Sequence, residues 1–306
     1  MMKENFKKES PILSLSSLGG GVNGPSVAGG GAAGGQDAYT TAGTYTWTCP
    51  VGVTSVSVVC IGAGGTQGSM NYGPDGGSLV YKNNISVTPG QNYTVVVGQT
   101  NTTPNGNGGY AGDSSAFGTI AYGGATQRQS TRAAGVNFDG GGVGGRGGID
   151  YYSGATGYVG GGGGGAAGYS GNGGSGSYGS SGGGNGSGGG GGGGGVYAGS
   201  YGNPAGGGGT GILGEGSSGA GGIYTTTVAD TVGHGGSGGT DSQPAPTGAY
   251  YGGAQSVYGG NYGGGSGIKW YDYSSDPVNT SAQNGAVRII YPGDVRQFPS
   301  TRTADE

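Results

Sequence analysis

Ala286-Val287-Arg288-Ile289-Ile290-Tyr291 is the segment on which the reading of this chain turns. Val, Ile and Tyr favour a pleated, half-buried surface, so AVRIIY reads as a strand. A strand needs neighbours for its backbone N–H and C=O groups. None lies nearby. Residues 140–269 hold 59 Gly in 130 positions, including unbroken runs at 160–165 and 188–195. The economical solution is that 286–291 returns to a sheet built by the early part of the chain and takes a central place in it.

Strand-like text lies upstream, between Tyr39 and Tyr122. Residues 44–49 (TYTWTC) alternate Tyr45, Trp47 and Cys49 with Thr, the period-2 pattern of a half-buried strand. Residues 50–54 read as a turn, and 55–61 (SVSVVCI) as a second strand. Residues 78–82 and 85–87 are shorter candidates, 92–98 (NYTVVVG) follows the Pro89–Gly90 turn, and 116–122 completes the set. The expected fold is mainly β, with almost no α-helix. An antiparallel, β-sandwich-like domain from 37–124 plus 285–295 carries a long Gly-rich, Tyr-bearing insertion, 125–284. Residues 1–36 read as an N-terminal attachment segment or linker, and 296–306 as a C-terminal tail. Pinning both ends of the insertion to one sheet limits the loop entropy it must lose.

The chain has 306 residues, of which 89 are Gly and 12 Pro, with net charge −4. A third of the chain in Gly and Pro points to low complexity. With 22 Tyr among the 31% hydrophobic residues, a large aliphatic core is excluded. Eleven Lys and Arg make no basic face, so nucleic acid is not an expected partner. No apolar run approaches the roughly 18 residues of a membrane span, so no membrane insertion is expected. Ile12, Leu13, Leu15 and Leu18 alternate with polar residues too closely for a secretory leader, so synthesis in the cytoplasm is expected.

Eight consecutive Gly form neither an α-helix nor an ordinary strand. Two states remain. One is a flexible linker. The other is the extended helix of three residues per turn, with about 3.1 Å rise per residue and no internal hydrogen bonds. Side-chain-free helices of this kind can approach closely and exchange backbone hydrogen bonds. The insertion is expected to be partly ordered in that form.

Sixteen of the 22 Tyr lie at or after Tyr122, among Ser, Thr and Asn. Tyr, Ser, Gly and Asn also dominate antibody loops, where flat amphipathic rings sit on permissive backbone. Tyr178, Tyr197, Tyr201, Tyr250, Tyr251, Tyr258 and Tyr262 are the candidate contacts of a recognition surface suited to sugars or protein loops. Gluing the Gly-rich region together is an equally open role for Tyr, compatible with the first.

Chemistry is sparse. GxGxxG matches are expected by accident in such a chain. Gly235–Gly239 (GGSGG) fits a nucleophile elbow, but His234, the single His, is adjacent in sequence and poorly placed as a base. No enzyme, cofactor or metal site is expected. If 44–49 and 55–61 formed a hairpin, Cys60 would lie about 13 Å from the position opposite Cys49. A disulfide spans at most about 7 Å, so two free thiols serving as small core residues are expected.

The segments 45–61 (YTWTCPVGVTSVSVVCI), 77–98, 113–124 (DSSAFGTIAYGG) and 285–292 (GAVRIIYP) resemble the Gly-rich domain of bacteriophage virion proteins, above all tail-fibre proteins. Residues 296–301 (RQFPST) are similar to endings in phages of marine cyanobacteria. The central region is similar in composition to polyglycine-helix phage adhesins. The resemblance implies a virion protein that binds a host-surface glycan or outer-membrane protein, and it brings no catalytic residues. Docking on other virion proteins through the N-terminal segment is expected. Oligomeric state stays open, as does a purely structural virion role in capsid, tail or fibre.

Overall fold

The apolar segments of the sequence pair into two sheets. The computed structural model describes residues 34–66, 72–100, 109–126, 132–149, 151–153, 157–159, 161–197, 203–226, 228–242, 258–267 and 282–300. The strands are β1 (Gly35–Tyr39), β2 (Gly43–Thr48), β3 (Ser55–Ile61), β4 (Leu79–Ser86), β5 (Asn92–Val97), β6 (Ser114–Ala116), β7 (Thr119–Ala121), β8 (Gly135–Val136), β9 (Gly140–Gly142), β10 (Tyr151–Ser153), β11 (Gly157–Val159), β12 (Val196–Tyr197), β13 (Asn203–Pro204), β14 (Tyr224–Thr225) and β15 (Ala286–Tyr291), with one 3-10 helix at Val228–Thr231.

One sheet has the order β1-β15-β3-β4-β9, the other β2-β5-β6-β7-β8. All pairings within both are antiparallel. β15 returns to the early strands as expected, with Ala286 opposite Ile61 and Tyr291 opposite Gly35. Trp47, Val95, Val97, Ala116 and Ala121 of one sheet pack on Val56, Val58, Cys60, Val80, Val287 and Ile289 of the other, which makes the sandwich core.

The first sheet is covered on its outer face as well. Val59, Ile61, Leu79, Ala286 and Ile290 pack there against Ala167, Tyr169, Ile212 and Phe298. This explains why every residue of β3 is buried. A strand covered on both faces reads as a continuous apolar run rather than an alternation. Arg288, on the outer face, is also buried, because Gln36 and the Ile212 carbonyl (3.2 Å) accept from its guanidinium.

Several expectations need correction. Gly35 and Gln36, read as linker, belong to β1, whose short GQDAY text carries no apolar alternation. Residues 78–82 and 85–87 are one strand, β4, interrupted by an irregularity opposite Val56–Val58. Residues 116–122 belong to a hairpin, β6–β7, turning at Phe117–Gly118, both with positive φ. β2 and β3 lie in different sheets and form no hairpin. Cys49 and Cys60 are free and buried. The tail is partly built in: Phe298 is buried, and Arg296 Nη1 donates to the Gly35 carbonyl (2.6 Å) and the Tyr291 carbonyl (2.9 Å).

At one end of the sandwich the strands run straight into Gly-rich segments: β3 into 62–66, β7 into 122–126, β9 into 143–148, with 73–78 entering β4 and 282–285 entering β15. These segments and those between 161 and 267 form a lattice of extended rods. Their hydrogen bonds repeat every three residues. Gly163 and Ala166 donate to Ala205 and Gly208, Gly164 and Ala167 to Pro74 and Gly77, and Gly165 to Gly174. Gly192 and Gly195 donate to His234 and Thr231, while Gly191 and Gly194 donate to Ala166 and Gly163. Successive amides thus point at different neighbours and every third returns to the same one, the signature of a three-residue-per-turn helix. A Cβ on Gly165 would sit 2.1 Å from the Gly191 carbonyl oxygen, and one on Gly191 2.2 Å from that of Gly208. At these positions only glycine allows the rods to lie this close. Residues Ala32–Glu306 form one compact unit.

Candidate functional site

The rods have two ends. The inner ends join the sheets or turn back beside them, as at 168–171, where Gly168 donates to the Gly171 carbonyl. The outer ends face away from the sheets. Registers place 66, 126, 149, 161, 178, 196, 205, 223, 231 and 258 there: Gly148 donates to Gly162, Ser177 to Gly194, Ala205 to Gly195, and Gly195 to Thr231. Connections between rods gather at this outer face. They include the β10–β11 hairpin, the small β13-β12-β14 sheet and the 3-10 helix.

The sandwich carries the opposite end. There lie 49–54, 87–91, Phe117–Gly118 and the start of β1. Residue 34, the first described, therefore enters the fold at the far end from the outer face.

The candidate Tyr residues divide. Tyr178 is 53% exposed at the outer face, in a turn closed by the Ser181 amide on the Tyr178 carbonyl (2.9 Å). Tyr197 in β12 and Tyr258, which starts its rod, are half-buried at the same end. Tyr262 is not there. It lies at the inner end of its rod and packs on the cluster around Tyr169 and Phe298. Tyr169 is fully buried between the sheet and the lattice, its hydroxyl donating to the Gly211 carbonyl and accepting from the Gly214 amide, both at 3.1 Å. Burial pushes its phenol above the usual range. Tyr169 and Tyr262 thus serve as packing glue, whereas Tyr178, Tyr197 and Tyr258 stand at the outer face. Tyr201, Tyr250 and Tyr251 lie outside the described residues.

A shallow cleft of about 450 Å³ opens beside Tyr178, lined by Arg146, Gly147, Gly148, Ile149, Ser175 and Gly176. It runs between rods 143–148 and 172–178, which are tied by Gly173 and Gly176 donating to the Val143 and Arg146 carbonyls. Ile223 is 51% exposed at the same end; its backbone lies near Gly182, just beyond the Tyr178 turn. Sequence reading missed Arg146, Ile149, Ser175 and Ile223. They carry no motif, and only the rod register brings them to Tyr178. Arg132 was missed too: it lies over the Tyr110 ring (4.4 Å) and the Tyr122 ring (3.9 Å) and pairs with Asp113 at 3.1 Å.

In GGSGG, the Ser237 hydroxyl donates to the Gly189 carbonyl (2.8 Å) and accepts from the Gly216 amide (3.0 Å), tying neighbouring segments. His234 Nδ1 lies 3.2 Å from an Asp241 carboxylate oxygen. Among the described residues no group of three His, Cys, Asp or Glu is placed to hold a metal ion.

No family model and no curated protein matches this chain.

Proposed function

We propose that this chain is a non-enzymatic bacteriophage virion protein, a tail-fibre or adhesin component. It docks on other virion proteins at its sandwich end and meets the host surface with its outer face. The observation that carries this reading is polarity. Rod-to-rod connections gather at one end, with Tyr178, Tyr197 and Tyr258 among them, while residue 34, the first described, enters the fold at the other. A rigid lattice that holds adaptable, Tyr-bearing connections away from an attachment point suits recognition, since rigid support lowers the ordering cost of binding. The resemblance of the sandwich segments to Gly-rich virion domains supports the same reading.

A purely architectural virion role is the second reading. Tyr169 and Tyr262 favour it, because both rings serve packing. Adsorption separates the two. Virions carrying Tyr178→Ser, Tyr197→Ser and Tyr258→Ser together are expected to adsorb poorly to host cells while assembling normally. Normal adsorption by these virions would reject the attachment reading in favour of the architectural one.

A further inference from the structure

We propose that the cleft between rods 143–148 and 172–178 is a subsite for a neutral pyranose sugar, with Tyr178 as its stacking platform. This rests on the attachment reading and names a ligand class for one part of the outer face. The lining is of mixed character. Tyr178 offers an exposed ring on one side, and Ile149 a half-buried apolar edge. Arg146 and Ser175, both exposed, supply polar groups, and the floor is glycine backbone at 147, 148 and 176. A pyranose matches this pattern, since it has an apolar C–H face and a rim of hydroxyls. The C–H face suits an aromatic ring whose π face carries partial negative charge. A guanidinium has five N–H donors in a planar fork, more than one partner takes, and can address two adjacent hydroxyls.

Size and charge narrow the ligand. About 450 Å³ is small-molecule scale. A protein partner would need roughly 800 Å² on its side of a specific interface, and this cleft is too small to supply that alone. An anionic sugar is disfavoured. The Asp75 carboxylate, on the neighbouring rod 73–78, accepts from the amide of Gly147, a lining residue, at 2.8 Å, and the chain carries net charge −4. The floor cannot carry side chains: a Cβ on Gly148 would lie 1.7 Å from the Ser177 carbonyl oxygen, and one on Gly176 1.9 Å from that of Gly162. The sugar would therefore rest on bare backbone, within reach of both flanking side chains.

The test uses the purified full chain and saturation-transfer NMR with maltotriose, α-mannotriose and galactotriose, and with trigalacturonic acid as the anionic comparison. At least one neutral trisaccharide is expected to receive saturation, and the acid much less. Tyr178→Ser should abolish the transfer and Tyr178→Phe should keep it, because the ring rather than the hydroxyl does the stacking. Arg146→Gln should weaken binding about tenfold. Ser175→Trp should block the cleft while leaving Tyr178 in place. Equal saturation in wild type and Tyr178→Ser, stronger binding of the acid, or no binding of any neutral sugar would overturn the subsite. Virion adsorption is read separately. If adsorption depends on Tyr178 but is lost after protease treatment of the cells, and no trisaccharide binds, the partner is a protein; the subsite fails and attachment survives. If a sugar binds through Tyr178 while the triple Tyr→Ser virions adsorb normally, the subsite stands and attachment fails.

Discussion

At the scale of single residues, the protein depends on atoms that are missing. Gly165 belongs to a rod whose residues are all buried, and the nearest carbonyl oxygen leaves no room for a methyl group. Gly165→Ala is expected to cost at least about 1–3 kcal/mol, the usual range for overpacking, read as a lower urea midpoint. The same change at exposed Ser180 should leave the midpoint unaltered. Buried acids make a second prediction. Desolvation pushes the Cys60 thiol up to about 12 from its ordinary 9.0. Below pH 9 the thiol is neutral whether the chain is folded or unfolded, so it adds no pH dependence. Between pH 9 and 12 only the unfolded form ionises, so stability falls as pH rises. Tyr169 acts in the same direction. Unfolding midpoints should drop through this window, and Cys60→Ala should flatten the drop. The apolar character of Cys60 could be read from SVSVVCI. The enclosure of Tyr169 could not, because its neighbours Ile212 and Phe298 are 43 and 129 positions away in sequence.

At the scale of elements, β15 joins distant parts of the chain. Its odd positions, Val287 and Ile289, enter the sandwich core, and its even positions, Ala286 and Ile290, meet the lattice-side cluster. Ile289→Ala should cost about 2–5 kcal/mol, since a fully buried methyl-rich side chain leaves a cavity. Amide hydrogen exchange is the sharper measurement. If β15 holds sheet and lattice as one cooperative unit, this variant should speed exchange at Gly165 and Gly191 as well as in β3. Unchanged rates at those glycines would separate the two parts. Strand identity was legible for β2, β3, β5 and β15, where alternation or β-branched runs are strong. It was not legible for β1, β8 and β9. These take strand form because a neighbour offers its ladder: β9 is three glycines beside Leu79–Tyr81. Only pairing, never propensity, makes such a segment a strand.

At the scale of the whole molecule, the protein has a built-in direction, sandwich at one end and connections at the other. Removing residues 1–33 should leave the unfolding midpoint unchanged and reduce incorporation into particles. Removing residues 1–39 should also lower the midpoint, because it strips β1 and takes Gln36 from the buried Arg288. A midpoint that falls equally in both deletions would assign residues 1–33 to the fold rather than to docking. Composition and residue order together established that this chain builds little α-helix and that its last apolar segment needed a distant partner. Those conclusions follow from local properties: backbone freedom, β-branching and the need to satisfy peptide groups. The registers of the rods came from tertiary structure alone, and with them the gathering of Arg146, Ile149 and Ser175 beside Tyr178. A glycine run carries no side-chain pattern to distinguish one register from another. The choice passes to backbone hydrogen bonds between segments scores of residues apart, and these exist only once the whole lattice has assembled.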